Sequence, residues 1–300
     1  MKTSNNKKII CLMGPTAVGK TDIAIDWVAK YPFDIISVDS VLIYRDMNIG
    51  TAKPKADILL KAPHRLIDIL PPTQTYSSAE FCRDASDEIE SILAQNRLPL
   101  LVGGTMLYYR ALQQGLAQLP PADKAIRQQL EEQTDKLGIE TLYQRLVEVD
   151  AVAAERIGPT DARRIQRALE VYMLTGKPIT ELQQPVSQTT QYEFINIVIL
   201  PEDRALLHAR IEKRFYAMLE QGFIEEVEQL KKQYLLSANL PSMRAVGYRQ
   251  IWEYLEGDYG KDEMIARAIA ATRQLAKRQL TWLRYWPGLR ECPTDPVTLF

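Results

Sequence analysis

The sequence predicts an α/β fold: a doubly wound parallel sheet carrying a helical insertion domain. Three observations predict it. Short apolar runs alternate with amphipathic helical stretches. The first run passes through a glycine-bounded loop directly into a helix. From about Pro120 to Gln184 the strand signal vanishes and only helical periodicity remains.

Taken in order, Lys8–Met13 reads as a short buried strand, 14–21 as a loop, and Asp22–Lys30 as a helix with Ile23, Ile25 and Trp27 inward. Phe33–Val38 is a second buried strand, ending at Asp39-Ser40. Arg65–Leu70 reads as a third strand, stopped by Pro71-Pro72. Ser78–Gln95 is a helix, and Leu98–Val102 a fourth strand closed by Gly103-Gly104. Four helices follow, Asp123–Leu137, Ile139–Val149, Ala151–Ile157 and Asp161–Leu174, punctuated by Gly138, Gly158-Pro159 and Gly176-Lys177-Pro178. Phe194–Leu200 returns to strand. Long helices over Arg204–Gln233 and Asp262–Trp286 flank a shorter one at Tyr248–Leu255. The expected domains are therefore a core of 1–115 with 190–300, and a helical insertion of 116–189.

The bulk composition excludes several classes. The 300 residues are 46% hydrophobic and 25% charged, so a packed core is possible. No run approaches the roughly 18 apolar residues of a membrane span. The apolar stretch Ile9–Met13, after a polar basic start, is too short for a secretory core. Cys11, Cys82 and Cys292 stand far apart and odd in number, which argues for free thiols in a reducing compartment. Only His64 and His208 occur, with no Cys/His cluster for zinc, and both read as structural. Net charge is −1, yet Met264–Arg290 holds six basic residues and no acid, so one segment can hold a polyanion.

Gly14-Pro15-Thr16-Ala17-Val18-Gly19-Lys20-Thr21 is a full phosphate-loop pattern between strand and helix. Its backbone N–H groups and the helix N-terminus converge on phosphate oxygens. Lys20 supplies a mobile charge, and Thr21 a hydroxyl for Mg²⁺. The setting places the sheet in the P-loop NTPase-like class, where nucleotide and ATP binding are the commonest uses. The loop itself specifies a polyphosphate and leaves open what is attached. Asp39, at a strand end, faces this loop in a doubly wound sheet. It suits Mg²⁺ ligation through water or a general base toward a hydroxyl, a base toward an amine in alkyl transfer, or a plain cap. Gly103-Gly104-Thr105 ends its strand without the acid many nucleotide hydrolases place there.

Two basic stripes follow. On a helix over Asp262–Trp286, Arg273, Lys277 and Arg284 fall within about 40° of one another. Met264, Ala268, Ala271, Leu275, Trp282 and Trp286 lie roughly opposite. With no acid in the segment, the charges are expected to be available to phosphates rather than merely solvated. Arg163, Arg164 and Arg167 cluster on another helix, where Glu170 also allows a plain intrahelical pair. Arg244 and Arg249 bracket Val246-Gly247-Tyr248, whose tyrosine suits either base stacking or a core.

These segments resemble the bacterial-type tRNA dimethylallyltransferases over essentially the whole chain. The resemblance runs through residues 14–21, Ile36–Ser40, Tyr44–Pro54, Leu101–Tyr108, Arg244–Arg249 and Thr272–Arg284. Val18 stands where the family often has serine, and Val41 where it often has alanine or glutamine. The resemblance implies transfer of a dimethylallyl group from dimethylallyl diphosphate to N6 of adenine 37 in tRNA, beside the anticodon, with Mg²⁺ and without ATP consumption. It makes Asp39 the general base, with Arg214 and Thr105 in the catalytic group. It places the donor diphosphate on Gly14, Pro15, Thr16, Ala17, Val18, Gly19, Lys20 and Thr21. It assigns tRNA contacts to Asp39, Ser40, Val41 and Leu42, to Thr105 and Arg127, and to Arg163, Arg164, Ile165, Gln166 and Arg167. It assigns further contacts to Arg244, Ala245, Val246, Gly247, Tyr248 and Arg249, and to Lys277, Arg278, Gln279, Leu280, Thr281, Trp282, Leu283 and Arg284. A cytoplasmic monomer, bound to no membrane, is expected. A small-molecule kinase, a prenyltransferase for free nucleotides and a non-catalytic RNA-binding module are the rivals. The first two leave the basic helix idle, and the third leaves Lys20, Thr21 and Asp39 without a use.

Overall fold

The computed structural model describes residues 7–117, 119–183, 191–293 and 295–299. The chain forms two compact units: Met1–Gln113 with Thr190–Phe300, and Gln114–Thr189. The expected far edge of the insertion, at 189, falls outside the described residues.

In chain order the first unit begins with β1 (Lys7–Met13), α1 (Lys20–Lys30), β2 (Phe33–Val38), α2 (Ala56–Lys61), β3 (His64–Arg65), α3 (Ser78–Ala94), β4 (Leu98–Gly103) and α4 (Met106–Gln114). The second unit holds α5 (Lys124–Leu137), α6 (Ile139–Val149), α7 (Ala151–Ile157), α8 (Ala162–Thr175) and α9 (Ile179–Leu182). The first unit resumes with β5 (Tyr192–Val198), α10 (Arg204–Glu220), α11 (Phe223–Gln233), α12 (Tyr248–Glu256), α13 (Lys261–Arg284) and β6 (Arg290–Glu291). A single 3₁₀ turn, Pro296–Leu299, follows.

The sheet order is β3-β2-β4-β1-β5-β6, with every pairing parallel. Because side chains alternate along a strand, β1 feeds two cores. Ile9, Cys11 and Met13 pack with Phe81, Ala85 and Ile89 of α3 and Tyr109 of α4. Ile10 and Leu12 pack with Ala24 and Trp27 of α1 on the other face. The chain turns outward from β1 in both directions, since β4 and β5 flank it. The loops after β1, β2 and β4 thus open at a switch point, where such sheets bind ligands. A third core within this unit gathers Phe215, Met218, Phe223, Tyr248 and Met264 from α10 to α13.

The helical unit has its own core of Leu130, Leu142, Leu146, Ile165 and Leu169. Asp123, Asp150 and Asp161 cap α5, α7 and α8 by accepting from Ile126, Ala153 and Arg164 N–H groups. Each such cap contributes about 1 kcal/mol.

Two expected elements differ. Arg65–Leu70 is not a six-residue strand: β3 ends at Arg65, and Leu66 and Asp68 turn to φ 60° and 57°. The chain leaves the sheet there, and Leu70 pairs instead with Tyr44 in an isolated parallel bridge outside the strands. Arg204–Gln233 is not one helix: Gly222, at φ 94°, ends α10 and starts α11. The apolar periodicity continues across the break, which hides it in the sequence.

Candidate active site

Lys20 opens α1, and the phosphate loop before it is a backbone concavity. Ala17 and Gly19 take positive φ, 63° and 98°, so successive N–H groups turn toward one point. A non-glycine residue held at such a φ is a strained position retained where the surroundings fix it. What fixes this loop is Gln279 of α13. Its Oε1 accepts from Thr16 N–H at 2.9 Å, and its Nε2 donates to Gly104 O at 2.9 Å. Lys20 Nζ folds back to donate to the carbonyls of Gly14 and Pro15, at 2.9 and 2.7 Å. Burial pulls the Lys20 pKa down to about 8; Asp39 opposes the shift and Arg214 adds to it.

Asp39 follows β2 directly. Its Oδ1 accepts from Val41 N–H at 2.8 Å and Leu42 N–H at 3.2 Å, which fixes the turn and leaves the other oxygen for chemistry. Ser40 N–H donates to Thr105 Oγ1 at 3.1 Å, tying the ends of β2 and β4 together. The strands approach so closely that a Cβ on Gly103 would stand 2.0 Å from Val38 O. Arg214 reaches the same place from α10. Burial pulls its pKa down, and the Asp39 charge pushes it back up.

Asp39, Thr16, Ala17 and Arg214 line one part of a cavity of about 130 Å³. Ile211, Phe215, Met218, Phe223 and Leu275 line the rest. Val41, residues 50–51 and 245–248, Thr272 and Gln279 complete the wall. The polar part can hold a diphosphate and a proton acceptor, and the apolar part a short hydrocarbon.

Glu226 supports this wall and is absent from the sequence-based expectations. Its buried carboxylate accepts from the N–H groups of Asn48, Ile49 and Gly50 at 3.0, 2.7 and 3.2 Å. It also accepts from Tyr248 Oη–H at 2.6 Å. An apolar helix face with one acid at an inward position is the only signal that could have revealed it.

The family model described as IPP transferase matches residues 42–286. This chain belongs to the IPP transferase family. A second model, Isopentenyl transferase, matches residues 7–68. The tRNA dimethylallyltransferase of Legionella pneumophila (strain Corby) is 55% identical over 283 residues, 94% of this chain and 90% of that protein. The solved tRNA isopentenylpyrophosphate transferase of Bacillus halodurans is 35% identical with a TM-score of 0.69, over 96% of this chain and 90% of that one. A solved eukaryotic dimethylallyltransferase acting on tRNA is 27% identical with a TM-score of 0.75, over 92% of this chain and 70% of that one.

Within this IPP transferase, the residues expected to meet RNA are unevenly placed. On α13, Lys277, Arg278, Thr281, Trp282 and Arg284 are exposed, as are Arg244 and Arg249. Leu280 is half-buried and Leu283 is buried in the sheet core. Gln279 is committed to the two loops described above. Tyr248 is a core tyrosine rather than a stacking platform, fully buried with its hydroxyl on Glu226. The expectation that the α13 arginines lack acidic partners is corrected. Arg273 pairs with Glu212 of α10, and Arg267 with Glu263 one turn upstream. Both acids lie outside the segment whose charges suggested isolation. In the helical unit, Ile165 is buried in the core, and Gln166 donates to Thr134 Oγ1. Arg127 and Arg167 converge on the buried carboxylate of Glu170, at 2.9 and 2.6 Å. Arg164 remains exposed beside Asp161, while burial and the charge of Arg127 pull the Arg163 pKa down.

Proposed function

We propose that this enzyme transfers a dimethylallyl group from dimethylallyl diphosphate to N6 of adenine 37 in tRNA, releasing diphosphate and giving N6-dimethylallyladenosine. The observation that supports it most is one cavity that joins a phosphate loop, a strand-end carboxylate and an arginine to an apolar chamber. A kinase site needs no such chamber.

The phosphate-loop N–H groups, Lys20 and Arg214 hold the donor diphosphate and meet the charge that grows on its bridging oxygen as the C1–O bond breaks. The N6 amine is a poor nucleophile, because its lone pair is delocalised into the ring. As N6–C1 forms, the amine proton passes to the Asp39 carboxylate, an assistance worth roughly 10²–10⁴ in rate. Thr105 holds the turn that presents Asp39. The residues fit Mg²⁺ in one manner: Thr21 is exposed at the loop end, and no cluster of three His, Cys, Asp or Glu side chains suited to a metal exists among the described residues. The Thr21 hydroxyl would hold the ion beside the donor diphosphate, where it would neutralise the leaving group.

The target adenine leaves its stack to enter the cavity, at a cost of a few kcal/mol offset by contacts to the anticodon stem-loop. Lys277, Arg278, Arg284, Arg244 and Arg249 supply phosphate contacts from the catalytic unit, and Arg127, Arg163, Arg164 and Arg167 from the helical one. No helix among the described residues is long and apolar enough to cross a membrane. We place the enzyme in the cytoplasm as a monomer, since one chain supplies every catalytic group.

The test is a transfer assay with labelled dimethylallyl diphosphate, Mg²⁺, unmodified tRNA and free AMP and ADP, followed by separation of the nucleotides and digestion of the tRNA to nucleosides. Label on N6 of the adenosine beside the anticodon is expected. Label on free AMP or ADP alone would move the assignment to a nucleotide prenyltransferase.

A further inference from the structure

One buried ring stands behind the apolar part of the cavity. Phe223, the first residue of α11, is fully buried. Its outer edge lies against two backbone segments that carry glycine. A Cβ on Gly50 would stand 2.1 Å from the ring's Cε2 and Cζ, and one on Gly247 would stand 2.9 Å from its Cε1. Any other residue at either position would expel the ring. Tyr248 meets it edge-on at 4.8 Å between centroids, and Phe215 at 6.3 Å.

Neither glycine segment is free to give way. Glu226 holds the N–H groups of Asn48, Ile49 and Gly50, and the Tyr248 hydroxyl as well. Gly247 N–H donates to Gln250 Oε1 at 2.9 Å. Thus the ring and both walls around it form one hydrogen-bonded block. Helix α10 runs along the cavity toward this block. Ile211 packs beside Ala17 of the phosphate loop. Arg214, Phe215 and Met218 follow at helical spacing on the cavity wall.

Size then decides what the chamber admits. The cavity is about 130 Å³, its polar part included. An apolar cavity of about 150 Å³ takes benzene, a six-carbon ring. On that scale the apolar part has room for a short hydrocarbon, and Phe223 and the segments around it fill the space beyond.

We propose that Phe223 sets the length of the allylic diphosphate this enzyme accepts, its ring being the stop for the far end of the five-carbon group. The proposal rests on the transfer reaction proposed above. With the ring removed, the glycines on either side offer no side chain to fill the gap, so the space passes to the substrate. A smaller side chain leaves the diphosphate and Asp39 in place and deepens only the apolar end.

The experiment compares wild type, Phe223→Leu and Phe223→Ala for transfer to unmodified tRNA from dimethylallyl and from geranyl diphosphate. The expected result is a rise of roughly tenfold or more in the geranyl-to-dimethylallyl ratio of kcat/KM, larger for alanine than for leucine. If alanine prevents folding, the leucine variant decides on its own. An unchanged ratio, with both donors slowed alike, would overturn the proposal. Wild type that transfers neither donor would instead overturn the reaction on which it rests.

Discussion

Asp39 and Lys20 lie close enough to feel each other's charge, and a conservative change at each has a distinct signature. Asp39→Asn keeps an Oδ1 to accept from Val41 and Leu42, so the turn survives. It removes the proposed base. Turnover is expected to fall by roughly 10²–10⁴ while tRNA affinity, read by filter binding, stays near wild type. An equal loss of binding would assign Asp39 a recognition role instead. Lys20 gives a pH signature. Its pKa of about 8 means the ammonium is already charged in the free enzyme at lower pH. Above that value diphosphate binding must take up a proton, so pyrophosphate affinity should fall by up to about tenfold per pH unit. Calorimetry in two buffers of different ionisation enthalpy should show about one proton taken up near pH 9 and almost none near pH 6. Flat affinity across that range would mean Lys20 is not the diphosphate's partner. The positions of both residues are legible in the sequence, because a strand end and a loop pattern fix them locally. Arg214 is legible only through the family resemblance. Glu226 and Phe223 are legible through neither, since each matters by touching segments more than 170 residues earlier in the chain.

At the scale of elements, the cavity wall depends on helix α11 presenting Glu226 to the loop before α2. Glu226→Ala leaves three backbone N–H groups and the Tyr248 hydroxyl without their acceptor. A loss of about 3 kcal/mol or more is expected by chemical denaturation, with Glu226→Gln losing less because one acceptor oxygen remains. A change within about 0.5 kcal/mol would show that water replaces the carboxylate. The same region shows where element reading stops. The α10–α11 break rests on Gly222, a residue whose helix cost of about 1 kcal/mol is too small to outweigh a continuous apolar stripe in the sequence. The short β3 is similar: Leu66, Ile69 and Leu70 look like strand, but Leu66 is buried in the core beside α3 and Ile69 and Leu70 pack partly buried against the cores. By contrast, α3 is bounded as its residues suggest, with Ser77 and Glu80 forming a reciprocal cap.

For the whole molecule, the doubly wound sheet and its helical unit follow from alternating and then vanishing strand signals, which are properties of long stretches rather than of single residues. Charge is less legible at this scale. A segment without acids still finds Glu212 across a helix packing, while Lys277, Arg278 and Arg284 stand exposed on the second half of α13. In the proposed reaction the phosphate loop serves the departure of diphosphate from a prenyl donor rather than nucleotide cleavage. The most direct measurement is the product stoichiometry in a reaction free of ATP, containing Mg²⁺, dimethylallyl diphosphate and unmodified tRNA. One pyrophosphate released per prenyl group fixed in tRNA, with no added requirement for ATP, is the predicted result. Transfer that begins only when ATP is added, with orthophosphate as the product, would contradict it.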